Sequence, residues 1–142
     1  MDIWKVGRTV MAINFSLRVL VVDDVPAMRR IMSDMLEEAG FKRIVEAEDG
    51  DMAWREIQSS AVDPETAFGL IVADWNMPGL SGVDLLRSIR SYKLTRDLSF
   101  LMVTAKGDQA HIDEALRAGV NHYIIKPFDG TNLIQRIGEL FP

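Results

Sequence analysis

The sequence contains no cysteine. That excludes a disulfide framework and a thiolate metal site, and it fits a reducing compartment. Basic charge is in deficit. Sixteen Lys and Arg stand against 21 Asp and Glu, for a formal net charge of −5. Non-specific nucleic-acid binding needs a basic surface, so no nucleic-acid partner is expected. No apolar run approaches the ~20 residues of a membrane-spanning helix. The run Val10-Met-Ala-Ile13 is also too short for the core of a secretory signal. Internal repeats and low-complexity segments are lacking. The expectation is a soluble cytoplasmic protein without membrane insertion. Apolar residues, by contrast, make up 48% of the 142 residues, enough for one packed domain.

Residues 1–16 show no clear period and are expected to form a tail, with the domain spanning 17–142. From there strands and helices alternate. The strongest helical pattern is Met28, Ile31, Met32, Met35, Leu36 and Ala39. Pro26 suits its first turn, and Gly40 followed by Phe41 suits a left-handed cap. A short strand around Arg43–Glu46 comes next, and Asp49-Gly50 opens a second helix carrying Met52, Ala53 and Ile57. Residues 58–69 are polar and interrupted by Pro64, so a loop is expected there. Further helices use Val83, Leu86 and Ile89, then Ile112, Ala115 and Leu116 up to Gly119, then Leu133, Ile137 and Leu140. The strands between them are continuous apolar runs, as expected where both faces are covered. Five β–α units with right-handed crossovers predict an α/β fold: a five-stranded, doubly wound parallel sheet of the flavodoxin-like kind.

Each apolar run ends on a polar residue. Asp23 and Asp24 close Arg18–Val22, Asp74 closes Leu70–Ala73, Thr104 closes Phe100–Val103, and Lys126 closes Tyr123–Ile125. Ligands of such sheets sit outside the carboxyl ends of the strands, where these five residues gather. Taken singly, each has an ordinary reading: a helix cap, a loop acid, a surface lysine. Taken together, three carboxylates at one edge need a cation. Magnesium suits a few carboxylates with retained water and phosphate oxygens. A hydroxyl and an ammonium beside it can hold an anion, and Pro127 restricts the backbone that aims Lys126. The set reads as a divalent metal next to a phosphoryl group.

The segments Leu20-Val-Val-Asp-Asp24, Met28-Arg-Arg-Ile31, Glu46-Ala-Glu-Asp-Gly50, Asp74-Trp-Asn-Met-Pro78, Met102-Val-Thr-Ala105 and Tyr123-Ile-Ile-Lys-Pro-Phe128 resemble a response-regulator receiver domain, most of all the chemotaxis type. The resemblance covers roughly residues 17–141. It implies that Asp74 accepts the phosphoryl group. It implies that Asp24, Asp74 and the backbone carbonyl of Asn76 bind Mg²⁺, with Asp23 holding a metal-bound water. Thr104 and Lys126 then bind phosphoryl oxygens, and Tyr123 is the aromatic switch that follows Thr104. The implied partners are a histidine kinase of the chemotaxis kind, a downstream effector such as the flagellar motor switch, and a phosphatase. A monomer is expected. The partner face is expected on the helices near 108–118 and 130–140 and the strand between them, offering Lys106, Ile112, Tyr123 and Arg136. The segment Lys106-Gly-Asp-Gln-Ala110 departs from the chemotaxis pattern, and Lys106 replaces an acid. That departure argues against inheriting the motor as partner.

Three function classes compete. The first is a stand-alone phospho-receiver, not an enzyme beyond its own phosphorylation and dephosphorylation, that signals by contact or serves as a phosphate sink or relay. The second is a metal-dependent aspartyl phosphatase, whose nucleophile loop would need a second Asp two positions after the first. Neither Asp23 nor Asp24 has one. The third is an FMN carrier, which would need a Ser/Thr/Gly-rich phosphate loop where Asp23-Asp24-Val-Pro26 stands.

Overall fold

Five β-branched and aliphatic runs pair side by side in a computed structural model that describes residues 5–6, 9–10, 13–105 and 107–141. A two-residue antiparallel pair comes first, β1 (Lys5–Val6) with β2 (Thr9–Val10). The main elements follow as β3 (Arg18–Val22), α1 (Pro26–Ala39), β4 (Arg43–Ala47), α2 (Gly50–Ser60), β5 (Leu70–Asp74), α3 (Gly82–Ser91), β6 (Ser99–Thr104), α4 (Gln109–Ala118), β7 (His122–Ile125) and α5 (Gly130–Leu140). The sheet order is β4-β3-β5-β6-β7 and every pairing is parallel.

Successive strand side chains point to opposite faces, and both faces are covered. Leu20, Val22, Ile71, Ala73, Phe100 and Met102 pack with Ala53, Ile57, Leu86 and Ile89 of α2 and α3. Val19, Val21, Leu70, Val72, Leu101 and Val103 pack with Met32 and Leu36 of α1 and Leu133, Ile134 and Ile137 of α5. Each fully buried aliphatic side chain contributes roughly 1.5–3 kcal/mol of transfer free energy, so this double-sided core dominates the stability of the sheet.

Local signals set the element ends. Pro26 occupies the first turn of α1, where its missing N–H costs nothing. Gly40 has φ +122°, and Phe41 N–H bonds back to Leu36 O while its ring is buried. Asp49, Ser81, Asp108 and Asp129 cap α2, α3, α4 and α5.

Several expectations need correction. Residues 58–60 are helical, because the Ser59 and Ser60 hydroxyls bond back to Glu56 O and the α2 ladder continues to Ala61 N. Ile31, Met52 and Leu116 are exposed: their helical spacing puts them beside the apolar stripe, and nothing among the described residues covers them. Ile13 and Phe15, assigned to the tail, pack on the domain, with Phe15 edge-on to Phe41 at 5.0 Å between centroids. Lys106, most of residues 1–12 and Pro142 lie outside the described residues.

Candidate phosphoryl and metal site

The strand order reverses between β3 and β5, so the ends of these two strands flank a natural crevice. Asp23 and Asp24 follow β3, and Asp74 is the last residue of β5. One oxygen from each of these three carboxylates falls within a 4.8 Å cluster. Lys126, one residue past β7, reaches in from the far side. Its Nζ lies 2.9 Å from Asp74 Oδ1 and 3.8 Å from Asp23 Oδ2. Thr104, the last residue of β6, is buried beside it, and Lys126 N–H donates to Thr104 O at 2.8 Å. The sequence-derived set Asp23, Asp24, Asp74, Thr104 and Lys126 is therefore gathered at one edge. Asp24 and Asn76 are exposed and line an open cleft of about 350 Å³ with Trp75 and Met77.

The three acids differ. Asp23 is fully buried, and its Oδ1 accepts from Val25 N–H at 2.9 Å. No hydrogen-bond donor among the described residues reaches its Oδ2. Burial pushes the Asp23 carboxyl above its ordinary value. The Val25 amide opposes this, and the Asp74 charge adds to it. Burial also raises Asp74, against the hydrogen bond and charge of Lys126. Among the described residues, one ammonium faces three carboxylates, which leaves an excess of negative charge in a poorly hydrated place. A hard divalent cation fits that excess, and a water bound to it could donate to the orphan Asp23 Oδ2.

Two supports of the site carry roles that the sequence did not assign. Arg29 donates from Nη1 to Asp23 O at 2.8 Å and from Nε to Glu46 at 3.1 Å, tying the β3–α1 turn to β4. Its place in Met28-Arg-Arg-Ile31 was legible, but which Arg turns inward was not. Gly82 starts α3 so close to β5 that a Cβ there would lie 2.3 Å from Asp74 O. Gly82→Ala is expected to destabilise the fold by about 1–3 kcal/mol, because the contact is with backbone. It should appear as a lower urea midpoint with an unchanged slope.

On the face where the sequence places a partner, Ile112 and Tyr123 are half-buried and border the same small void. Arg136 pairs with Glu139 at 3.2 Å, and Glu139 also meets His122 at 2.6 Å. Exposed Ile125 and Leu116 add apolar area on β7 and α4.

Residues 19–138 match the response regulator receiver domain family. The chain belongs to that family. It is 41% identical over 125 residues to the chemotaxis protein CheY of Pseudomonas aeruginosa, covering 88% of this chain and 96% of that protein. It is 39% identical over 129 residues to the chemotaxis protein CheY-3 of Vibrio cholerae, covering 91% and 95%. Among solved structures it resembles CheY4 of Vibrio cholerae, with a TM-score of 0.79 at 25% identity, over 89% of this chain and 99% of that one. It also resembles the receiver domain of the Pseudomonas aeruginosa sensor histidine kinase PA1611, with a TM-score of 0.72 at 27% identity, over 89% and 97%. That structure has a magnesium ion coordinated in its active-site cleft. The protein is a CheY-like receiver of two-component signalling, a class of signalling proteins rather than conventional enzymes. No helix among the described residues is long and apolar enough to cross a membrane.

Proposed function

We propose that this receiver takes a phosphoryl group from a histidine kinase onto Asp74, with Mg²⁺, and signals by protein contact through α4, β7 and α5. The observation that carries this reading is the meeting of Asp74 with Lys126 at 2.9 Å inside a three-carboxylate cluster. Asp24, Asp74 and the carbonyl of Asn76 would hold the metal directly, and Asp23 would hold one of its waters. Bound there, Mg²⁺ neutralises charge on the phosphoryl oxygens.

The chain's own residues do the rest. An Asp74 carboxylate oxygen attacks phosphorus, the new O–P bond forms, and the N–P bond to the donor histidine breaks. The leaving imidazole nitrogen keeps the bonding pair. Lys126 Nζ and the Thr104 hydroxyl hold two phosphoryl oxygens, so most of the work is positioning and charge placement. Before transfer, Lys126 is bound to Asp74 itself. Phosphorylation gives the ammonium a second set of acceptors and pulls on β7. Thr104 and Tyr123 would carry the same event into the void beside α4.

The reading is tested by intact mass after incubation with Mg²⁺ and acetyl phosphate. One phosphoryl group of added mass is expected, and none with the metal chelated. Lys126→Ala should retain at least part of this phosphorylation yet lose phosphate-dependent partner binding. The check is an NMR titration of the beryllofluoride-activated variant with a candidate partner. Normal partner shifts on α4 and α5 in Lys126→Ala would refute the coupling role. Shifts confined to α1 would identify that partner as a kinase or phosphatase rather than an effector.

A further inference from the structure

Between the site and the output face lies a void of about 10 Å³, walled by Trp75, Met102, Thr104 and Tyr123 at the sheet and by His111, Ile112 and Ala115 on α4. By this measure it is too small for more than about one water. The phenol of Tyr123 cannot turn further into it unless a wall side chain leaves. Trp75, Met102, Thr104 and Ala115 are buried, so none of them has solvent to move into. Moving Ile112 outward would expose apolar surface. His111 is different: its side chain is already 30% exposed, and it is polar, so water can receive it.

His111 is also held in place. Its Nδ1 lies 2.9 Å and 3.1 Å from the two carboxylate oxygens of Asp108, the residue that caps α4. Its ring stands edge-on to Trp75, with centroids 5.2 Å apart and planes at 61°. Trp75 follows Asp74 directly and donates its N–H to Val103 O. One imidazole therefore touches the cap of the output helix, the residue after the acceptor aspartate and the space beside Tyr123.

We propose that His111 is a latch on the Tyr123 switch: Tyr123 turns inward only when His111 leaves its seat between Asp108 and Trp75. This rests on the reading of Tyr123 as the switch residue. His111 is a positioning residue here, with no contact to the phosphoryl group. Its seat opposes spontaneous switching, because leaving it breaks the Asp108 hydrogen bond and the Trp75 contact together. The same departure frees the start of α4, so one movement both admits Tyr123 and alters the output helix.

The test is aromatic NMR of the full chain with Mg²⁺, with and without beryllofluoride, while ¹⁹F signals report occupancy at Asp74. In wild type, the Tyr123 and His111 ring resonances should move together through the titration. In His111→Ala without beryllofluoride, the Tyr123 resonances should lie at least halfway to their activated position. His111→Phe fills the seat without the Asp108 bond, and there beryllofluoride should bind while Tyr123 stays still. A wild-type His111 ring that is unmoved while Tyr123 shifts overturns the latch. So does a His111→Ala protein whose Tyr123 keeps the resting wild-type shift. Bound beryllofluoride with Tyr123 stationary in wild type overturns the switch and the latch together. An absent ¹⁹F signal in wild type overturns the acceptor reading alone, because the His111→Ala arm needs no phosphoryl analogue and still decides the latch.

Discussion

Asp74→Asn should abolish Mg²⁺-dependent phosphorylation by acetyl phosphate, removing the added mass completely. The carboxamide keeps the size and place of the carboxylate at the end of β5, but its oxygen is a poor nucleophile and carries no charge to bind metal. Neither neighbour can substitute. Asp23 is buried behind the site with one oxygen committed to Val25 N–H. Asp24 is exposed on the cleft side. Of the three carboxylates, Asp74 is the one within hydrogen-bond distance of Lys126, so the proposed acceptor is already paired with the ammonium. Added mass on Asp74→Asn equal to wild type would move the acceptor elsewhere. A second expectation separates loss of chemistry from loss of fold. Removing a carboxyl whose pKa burial has raised should leave the metal-free protein at least as stable as wild type at neutral pH.

Asp24→Ala should cost the largest share of Mg²⁺ affinity. Removing a group that only orients a ligand costs roughly 10–100-fold. Asp23→Asn, which keeps an acceptor for Val25 N–H, is expected inside that range. Asp24→Ala is expected at or beyond its upper end, because a direct carboxylate ligand is lost. Trp75 is 8% exposed and follows Asp74, so its fluorescence should report the titration, with Trp75→Phe as the control against Trp4 and Trp54. An Asp24→Ala protein that titrates like wild type would remove Asp24 from the ligand set.

The pH dependence follows in sign. Asp23 and Asp74 titrate above the ordinary carboxyl value of 3.8. Protons therefore compete with the metal from a higher pH than ordinary carboxyls would allow, and apparent affinity falls as the solution is acidified. Stability runs the other way in the metal-free protein. A raised folded-state pKa favours the fold at low pH, and that contribution is lost as pH rises through the raised values. Mg²⁺ should therefore raise the melting temperature more at neutral than at mildly acidic pH. An equal rise at both would contradict the raised carboxyls.

The gathering of Asp23, Asp24, Asp74, Thr104 and Lys126 was legible because each closes an apolar run long enough to be a strand, and parallel strands bring their carboxyl ends together. Fold class followed from the same runs. Other features depend on contacts between distant segments. Gly82 looks like any helix-start glycine until Asp74 O is found against it. His111 reads as a surface helix residue until Trp75 and the void beside Tyr123 are placed next to it. Ile31 and Leu116 have the right spacing for a core face, but period locates a stripe without saying how far its cover extends. Ser59 and Ser60 look like loop residues, and their hydroxyls are satisfied by the helix they extend.

β7 is an edge strand of four residues, paired among the described residues with β6 alone. Asp74 sits instead on β5, which is laddered on both sides. A displacement of β5 would strain two ladders and both core layers, whereas a displacement of β7 strains one ladder at the rim. The sheet is thus braced on both sides at Asp74 and on one side at β7, the strand that leads to Lys126. If Asp74 takes a phosphoryl group as proposed, β7 can yield at the rim while the two ladders of β5 hold the centre in place.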